Sequence, residues 1–548
     1  MLITTLLFAL AAGAPEVDPG VADARKRLSE VLVAADAGKA PCSDLVTPST
    51  RYLINHADLT LGDVKKNAKP FLAVARCAEK EKYFVLEADI AKMLRKADPK
   101  NAHPELLARA LMGLGDTDTA MTVLGELLAK SPKDPDLNLT QAKGYCKQRQ
   151  WKKCLDASNK TLALAEKLKN EAEKTAVSAR AHKYNARASL HLGDLDTQEL
   201  STLLMDLNDG DKESVEQLQN ALVPAKAFRL VVEPEYASHV ALGVYHLVGK
   251  VDRLAPPVRL YVTNIGDDRQ LRIEASIAGV TSTTTKTVPL RKGKDLVLDL
   301  TPPLLATFDP STVRATRQAN LELKLTIIGA DGTEKVALQE SHEISLEPRD
   351  FLPMSAAVDK EQRVKTYSYL AAWVTPNAKA IDAFLTDAKK NAPGHSFSGE
   401  QSATLPQVKA LFEALKGKGV SYVMDPNVMS GMGFGQRTRL PTEVLTSTNA
   451  QCLEGTLLYA SLLEAVGLEP AIVIIPGHAF VAWHAGPKDG VPPTNVYFLE
   501  TTMTHGAEFD DAIKVAKKEF MQADGNDEAT VLFVSELRHK GVTPQPFD

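Results

Sequence analysis

Apolar residues recur at three- and four-residue intervals from about residue 20 to 222, among many Ala, Leu, Lys, Asp and Glu residues. That period puts one apolar stripe on each helix and predicts an all-α region. Near residue 225 the rhythm changes to short, often β-branched runs. These are Phe228 to Val232, Val240 to Val248, Val258 to Thr263, Leu271 to Ile277, Lys286 to Leu290, Leu296 to Leu300, Leu321 to Ile328 and His342 to Leu346. Turn signals at Gly266-Asp267, Gly293 and Ala330-Asp331-Gly332 separate them, so residues 225–350 read as about seven or eight strands. From 364 to 548 both periods occur. Helices are predicted at Ala378 to Lys390, Leu405 to Lys416 and Cys452 to Val466, and strands at Ala471 to Ile475, Ala479 to His484 and Val496 to Leu499. The expected fold is multidomain: all-α over 20–222, all-β over 225–350 and α+β over 364–548.

The helical region carries a repeat. One unit contains Ala110, Leu114-Gly115-Asp116, Ala120, Leu124 and Pro132. A shift of 34 residues reaches Gly144, Gln148-Arg149-Gln150, Cys154, Ser158 and Glu166, and a third unit begins near Ala181 with Leu192-Gly193-Asp194. Small residues at fixed offsets let the two helices of a unit approach closely. The region resembles tetratricopeptide repeats, with Arg149 at the usual glycine and Glu166 at the usual proline. Such stacks present a concave surface, so a protein partner on the repeats is expected. The strand-rich region argues an immunoglobulin-like β-sandwich serving as a spacer or docking module.

Composition narrows the function classes. The chain has 548 residues, 44% hydrophobic and 24% charged, which fits a folded protein of three or four domains. A net charge of −5 excludes a strongly basic nucleic-acid binder. Leu2 to Ala14 is an uncharged, mostly apolar run of about 13 residues, shorter than the roughly 20 of a membrane span. Residues 1–14 therefore read as a signal peptide, although its start lacks Lys and Arg, and the protein is expected to be periplasmic or secreted. No later run is apolar enough for a stable membrane span.

Five cysteines without a CxxC argue against a thioredoxin-type pair or a ribbon zinc site. Cys42, Cys77, Cys146 and Cys154 all lie in the helical region, where three pairings are open. Cys42 with Cys77 and Cys146 with Cys154 are the local ones. The alternative for each is a small buried apolar residue, as Cys154 at an alanine position suggests. Asn138-Leu139-Thr140 and Asn159-Lys160-Thr161 match the glycosylation sequon, at a frequency chance supplies.

The fifth cysteine sits in a different context. Asn449-Ala450-Gln451 precedes Cys452, and an apolar helix follows to Val466, with Gly467 placed to end it. A cysteine in a helical first turn faces free N–H groups and the positive end of the helix dipole, which favour the nucleophilic thiolate. His478 follows 26 residues later at the start of a strand, where an imidazole can pair with the sulfur and protonate a leaving amine. Glu500 ends the next strand, in Glu500-Thr501-Thr502, where a carboxylate can hold the imidazole tautomer.

This order of cysteine helix, histidine strand and acid-bearing strand resembles the transglutaminase-like superfamily of papain-related cysteine enzymes. The resemblance covers about Gly435 to Phe509 and implies Cys452 as nucleophile, His478 as base and Glu500 as acid. Glu500 stands where many members have an aspartate in Asp-Pro-Thr. Gln436 and Gln451 are both candidates for the side-chain donor to the oxyanion, beside the Cys452 N–H. The resemblance further implies a thioester route, with a protein or peptide substrate and with peptidase or amidase activity favoured over transamidation. The alternative is a catalytically degenerate scaffold that binds an envelope protein. His484, six residues beyond His478, has the same strand parity, and His505 is an alternative base. The loop Ser430 to Gln436 carries Gly431, Gly433 and Gly435 without a P-loop Lys-Ser/Thr, and reads as a flap beside the cleft. No cofactor and no metal is expected: there is no HExxH and no clustered carboxylate motif.

Overall fold

The structure is a computed structural model. It describes residues 19–38, 40–99, 103–208, 210–251, 253–357, 363–423, 435–486, 496–526 and 528–546. The expected signal peptide lies outside the described residues, as do residues 430–434 of the glycine loop. The chain forms two compact units. One comprises Met1–Val231 with Ala357–Arg363, the other Val232–Ala356 with Val364–Asp548. The strand-rich region and the α+β region therefore belong to one unit.

The first unit is helical, with thirteen helices among its described residues, from Pro19–Ala37 to Lys212–Phe228. Several of its helices begin on acids and amides. Asp134 accepts from Leu137 N at 3.0 Å, Asp194 from Thr197 N at 3.2 Å and Asn170 from Ala172 N at 3.0 Å, satisfying amides that the first turn leaves free. The repeat becomes the helix pairs Pro104–Gly113 with Thr117–Lys130, and Pro135–Lys147 with Trp151–Ala165. The pair Glu171–Leu192 and Leu195–Leu207 follows.

The small residues permit the expected close approach. Ala120 and Cys154 are fully buried, and a β-carbon on Gly144 would stand 2.2 Å from the Met121 sulfur. Between the helices of a pair the backbone turns left-handed, at Gly115 (φ 90°), Arg149 (φ 55°) and Gly193 (φ 81°). Arg149 thus adopts the geometry that glycine supplies in the other two turns, at a cost of roughly 1–2 kcal/mol. Its guanidinium stacks 4.8 Å over the Trp151 ring, a contact that offsets part of this cost. The disulfides are Cys42–Cys77 and Cys146–Cys154. Asn138 is fully buried, with its amide donating to Asp134 O, so that sequon is a chance match.

The second unit opens with two sheets. One orders Leu230–Tyr236, Val258–Asn264 and Asp295–Leu300. The other orders His239–Ala241, Glu334–Glu347, Arg317–Ile328, Arg269–Ile277 and Thr284–Leu290. Leu271, Ile273, Ala275 and Ile277 are buried alternately, as are Leu321, Leu323, Leu325 and Ile327, so the two-residue period holds. One predicted strand is corrected. Val240 to Val248 contributes only His239–Ala241, and Leu242–Leu247 is a 3₁₀ turn. Leu242, Gly243, Val244, Tyr245 and Leu247 are all buried there, and a β-carbon on Gly243 would meet Arg349 O at 2.3 Å. An apolar run buried on all sides carries no period by which to tell strand from turn.

A four-stranded antiparallel sheet organises the rest, in the order Val496–Leu499, His478–His484, Pro470–Ile475, Thr530–Phe533. Parity divides its side chains. Ile472, Ile474, Val481 and Trp483 share a core with Leu457, Leu458 and Leu462 of the helix Cys452–Ala465. Ala471, Val473, Phe480, Ala482 and Phe498 pack with Ala516 and Phe520 of the helix Phe509–Gly525. The short strands Phe351–Pro353 and Gly435–Arg437 pair antiparallel, and Arg437 bonds Asp350 at 2.6 Å. This ties the segment leading to Cys452 to the end of the strand-rich region. No helix among the described residues is long and apolar enough to cross a membrane.

Candidate active site

Cys452 is the first residue of the helix Cys452–Ala465 and is half-buried. It is the one free cysteine of the five. Its turn is held by a buried carboxylate two residues on. Glu454, 1% exposed, takes hydrogen bonds from Gln451 N (3.1 Å), Arg439 N (2.8 Å), Arg439 Nε (3.0 Å) and Arg439 Nη2 (2.7 Å). Arg439 also donates to Asn449 Oδ1 at 2.9 Å and Ser447 Oγ at 3.0 Å. A carboxylate taken from water is tolerated when a forked guanidinium and main-chain amides satisfy it. The network fixes the loop that feeds Cys452 into the helix.

His478 begins its strand, after Gly477, whose φ of 73° sets the turn. Its Nε2 donates to Glu500 Oε2 at 2.7 Å. The Cys452 side chain acts on the same ring. With Nε2 on Glu500, Nδ1 is the nitrogen left for the sulfur. The interaction with Cys452 first, then the bond and negative charge of Glu500, outweigh burial and push the imidazole up to about 10.

Glu500 is 3% exposed. Burial pushes its carboxyl up, but the bond from His478 and those from Thr502 N (3.0 Å) and Thr502 Oγ1 (2.6 Å) outweigh it and hold it below the usual range. The neighbouring Thr501 seats this segment on the cysteine helix. Its hydroxyl donates to Cys452 O at 3.4 Å, and a β-carbon on Gly455 would stand 3.1 Å from it. The threonines of Glu500-Thr501-Thr502 thus have separate jobs, one docking the acid and one holding its charge.

The structure therefore brings Cys452, His478 and Glu500 together. Of the other candidates, Gln451 is the cap residue directly before Cys452. The Gln436 amide donates to Thr438 Oγ1 at 3.1 Å and the Gln451 amide to Arg437 O at 3.3 Å, one bond from a group that carries two N–H donors. His484 shares the parity of His478 but lies six residues along the strand, roughly 20 Å away, stacked on Phe533. His505 is exposed.

A fourth residue joins the cluster. Glu519, on the helix Phe509–Gly525, places Oε2 3.7 Å from His478 Nε2. Burial, then the charge of Glu500, raise its carboxyl above the ordinary range. A signal for it exists in the sequence. Ala512, Ala516, Phe520 and Ala523 form the buried stripe of that helix, and Glu519 interrupts it three residues after Ala516. The stripe faces Phe480 and Ala482, which have the parity of His478.

A scan of protein-family models finds no match to the chain, and a search of the curated proteins finds none either.

Proposed function

We propose that the second unit carries a cysteine-dependent acyl-transfer enzyme with a transglutaminase-like domain preceded by an immunoglobulin-like β-sandwich. The observation that carries this reading is one imidazole bonded to Glu500 and raised by Cys452, with the sulfur at a helix start. Cys452 Sγ attacks a carbonyl carbon, and the Cys452 N–H helps hold the oxyanion. The His478 imidazolium then passes a proton to the departing amine, leaving a thioester. The neutral ring next takes a proton from water, which attacks the thioester and releases the acid. Glu500 holds the ring tautomer and stabilises the imidazolium through both halves. Hydrolysis of a protein or peptide is the favoured outcome, from the resemblance of the short Cys-to-His spacing to bacterial-type peptidases. The helical unit, read as tetratricopeptide-like, recruits a protein partner. Two disulfides favour an oxidising compartment, in line with export to the periplasm or beyond.

The test is the rate of Cys452 alkylation by iodoacetamide at neutral pH. Labelling faster than that of an ordinary thiol, and slowed at least about tenfold by His478→Ala, supports the enzyme reading. An ordinary rate unaffected by His478→Ala overturns it and leaves a binding scaffold.

A further inference from the structure

We propose that His478, Glu500 and Glu519 bind one zinc ion, and that the bound ion holds the cysteine site inactive. The three residues come from a strand, the turn after a second strand and a helix, and one ligand atom of each lies within 4.8 Å of the others. Sequence spacing does not reveal this group, because it is assembled by the parity of the histidine strand and the stripe of the helix.

Glu519 Oε2 lacks a donor within hydrogen-bond distance. It is shut off from solvent and lies 3.7 Å from His478 Nε2. Two ionised carboxyls cannot bond each other, since both only accept. A metal ion held by all three residues would take one nitrogen and two carboxylate oxygens. Magnesium and calcium prefer all-oxygen sets, whereas one imidazole with two carboxylates suits zinc.

The fit needs little movement. Zinc bonds of about 2.1 Å place tetrahedral ligands roughly 3.4 Å apart. His478 Nε2 and Glu500 Oε2, at 2.7 Å, must open by less than 1 Å, and Glu519 must close from 3.7 Å. The Glu519 side chain is 38% exposed and free to swing inward. Water completes the fourth position.

The inhibitory half of the inference rests on the proposed reaction; the binding half does not. Zinc displaces the proton from Nε2, which leaves to solvent, and Glu500 turns from hydrogen-bond acceptor to ligand. The ring becomes a neutral, metal-bound imidazole. It no longer offers Cys452 a cation, and its remaining N–H donates far less readily than an imidazolium, so the leaving amine goes unprotonated.

The experiment is calorimetric titration of zinc chloride into the untagged full chain and its variants, each with its fold checked by circular dichroism. One ion per chain is expected. Cys452→Ser keeps that affinity, Glu519→Gln weakens it more than about tenfold and Glu519→Asp recovers part of the loss. Unchanged affinity in Glu519→Gln, or lost binding in Cys452→Ser, overturns the site. Zinc also slows Cys452 alkylation in the wild type and does so less in Glu519→Gln. Binding without any change in alkylation overturns the inhibitory half. Alkylation insensitive to His478→Ala while zinc still binds defeats the enzyme reading and leaves the metal site standing.

Discussion

Each unit buries a glutamate, and the two end in opposite states. Glu87, in the helical unit, is 0% exposed and neither carboxyl oxygen has a hydrogen-bond partner. Burial first, then the nearby Glu79, pushes it up to about 9, against the weaker pull of Arg109 and Lys143. At neutral pH it is a neutral acid wedged into a helical core. Glu500 is almost as buried, yet His478 and Thr502 bond it and it stays ionised. Glu454 is the third case, buried and held by Arg439. Burial is common to all three. Between Glu87 and Glu500, the donors aimed at the carboxyl decide its charge. The helical unit uses its cysteines in the same closed way, pairing four, while the other unit leaves its one cysteine free beside an imidazole.

Four changes break or sharpen this contrast. The largest effect is expected at Glu500→Gln, which keeps the shape and removes the charge. Turnover falls roughly 10²–10⁴-fold while the fold persists. The pH profile moves as well. His478 holds its proton to about 10, above its ordinary 6.5, so the imidazolium and the stability it adds are complete below about 6.5 and lost as pH rises through 10. In Glu500→Gln that alkaline limb shifts to lower pH. An unmoved limb removes Glu500 from the acid role.

Arg439→Met is next. It strips Glu454 of its main donor, as Glu87 is stripped, and is expected to cost about 3 kcal/mol in urea unfolding of the second unit. No loss shows that main-chain amides suffice there.

Glu87→Gln tests the other side. The carboxyl titrates near 9 folded and near 4.5 unfolded, so its contribution to stability is intact below about 4.5 and lost progressively up to about 9. The variant removes that dependence. The slope of unfolding free energy between pH 5 and 9 becomes less negative by about 1.4 kcal/mol per pH unit, read from the helical far-ultraviolet signal. An unchanged slope means that Glu87 finds a donor in solution.

The smallest effect compares the disulfides. Cys42–Cys77 closes 35 positions and Cys146–Cys154 only 8. Replacing the first pair by serine is expected to cost about 1 kcal/mol more than replacing the second. Equal losses point to native packing around Trp151 rather than chain entropy.

The sequence by itself determined the local elements. Asp134 and Asp194 mark helix starts through their own short acceptors, and the alternation from Leu271 to Ile277 marks a strand with one wet face. The places of Cys452, His478 and Glu500, one at a helix start and two at strand ends, were legible for the same reason: each follows from a few neighbours in the chain. Tertiary structure decided the rest. It turned Leu242–Leu247 into a 3₁₀ segment, because a run buried on every side carries no period. It set the Gln436 amide against Thr438 and the Gln451 amide against Arg437, matching donor to acceptor across folded segments. It set Glu519 beside His478 and left Glu87 without a donor, since the charge of a buried carboxyl depends on groups that only packing brings within a few ångströms.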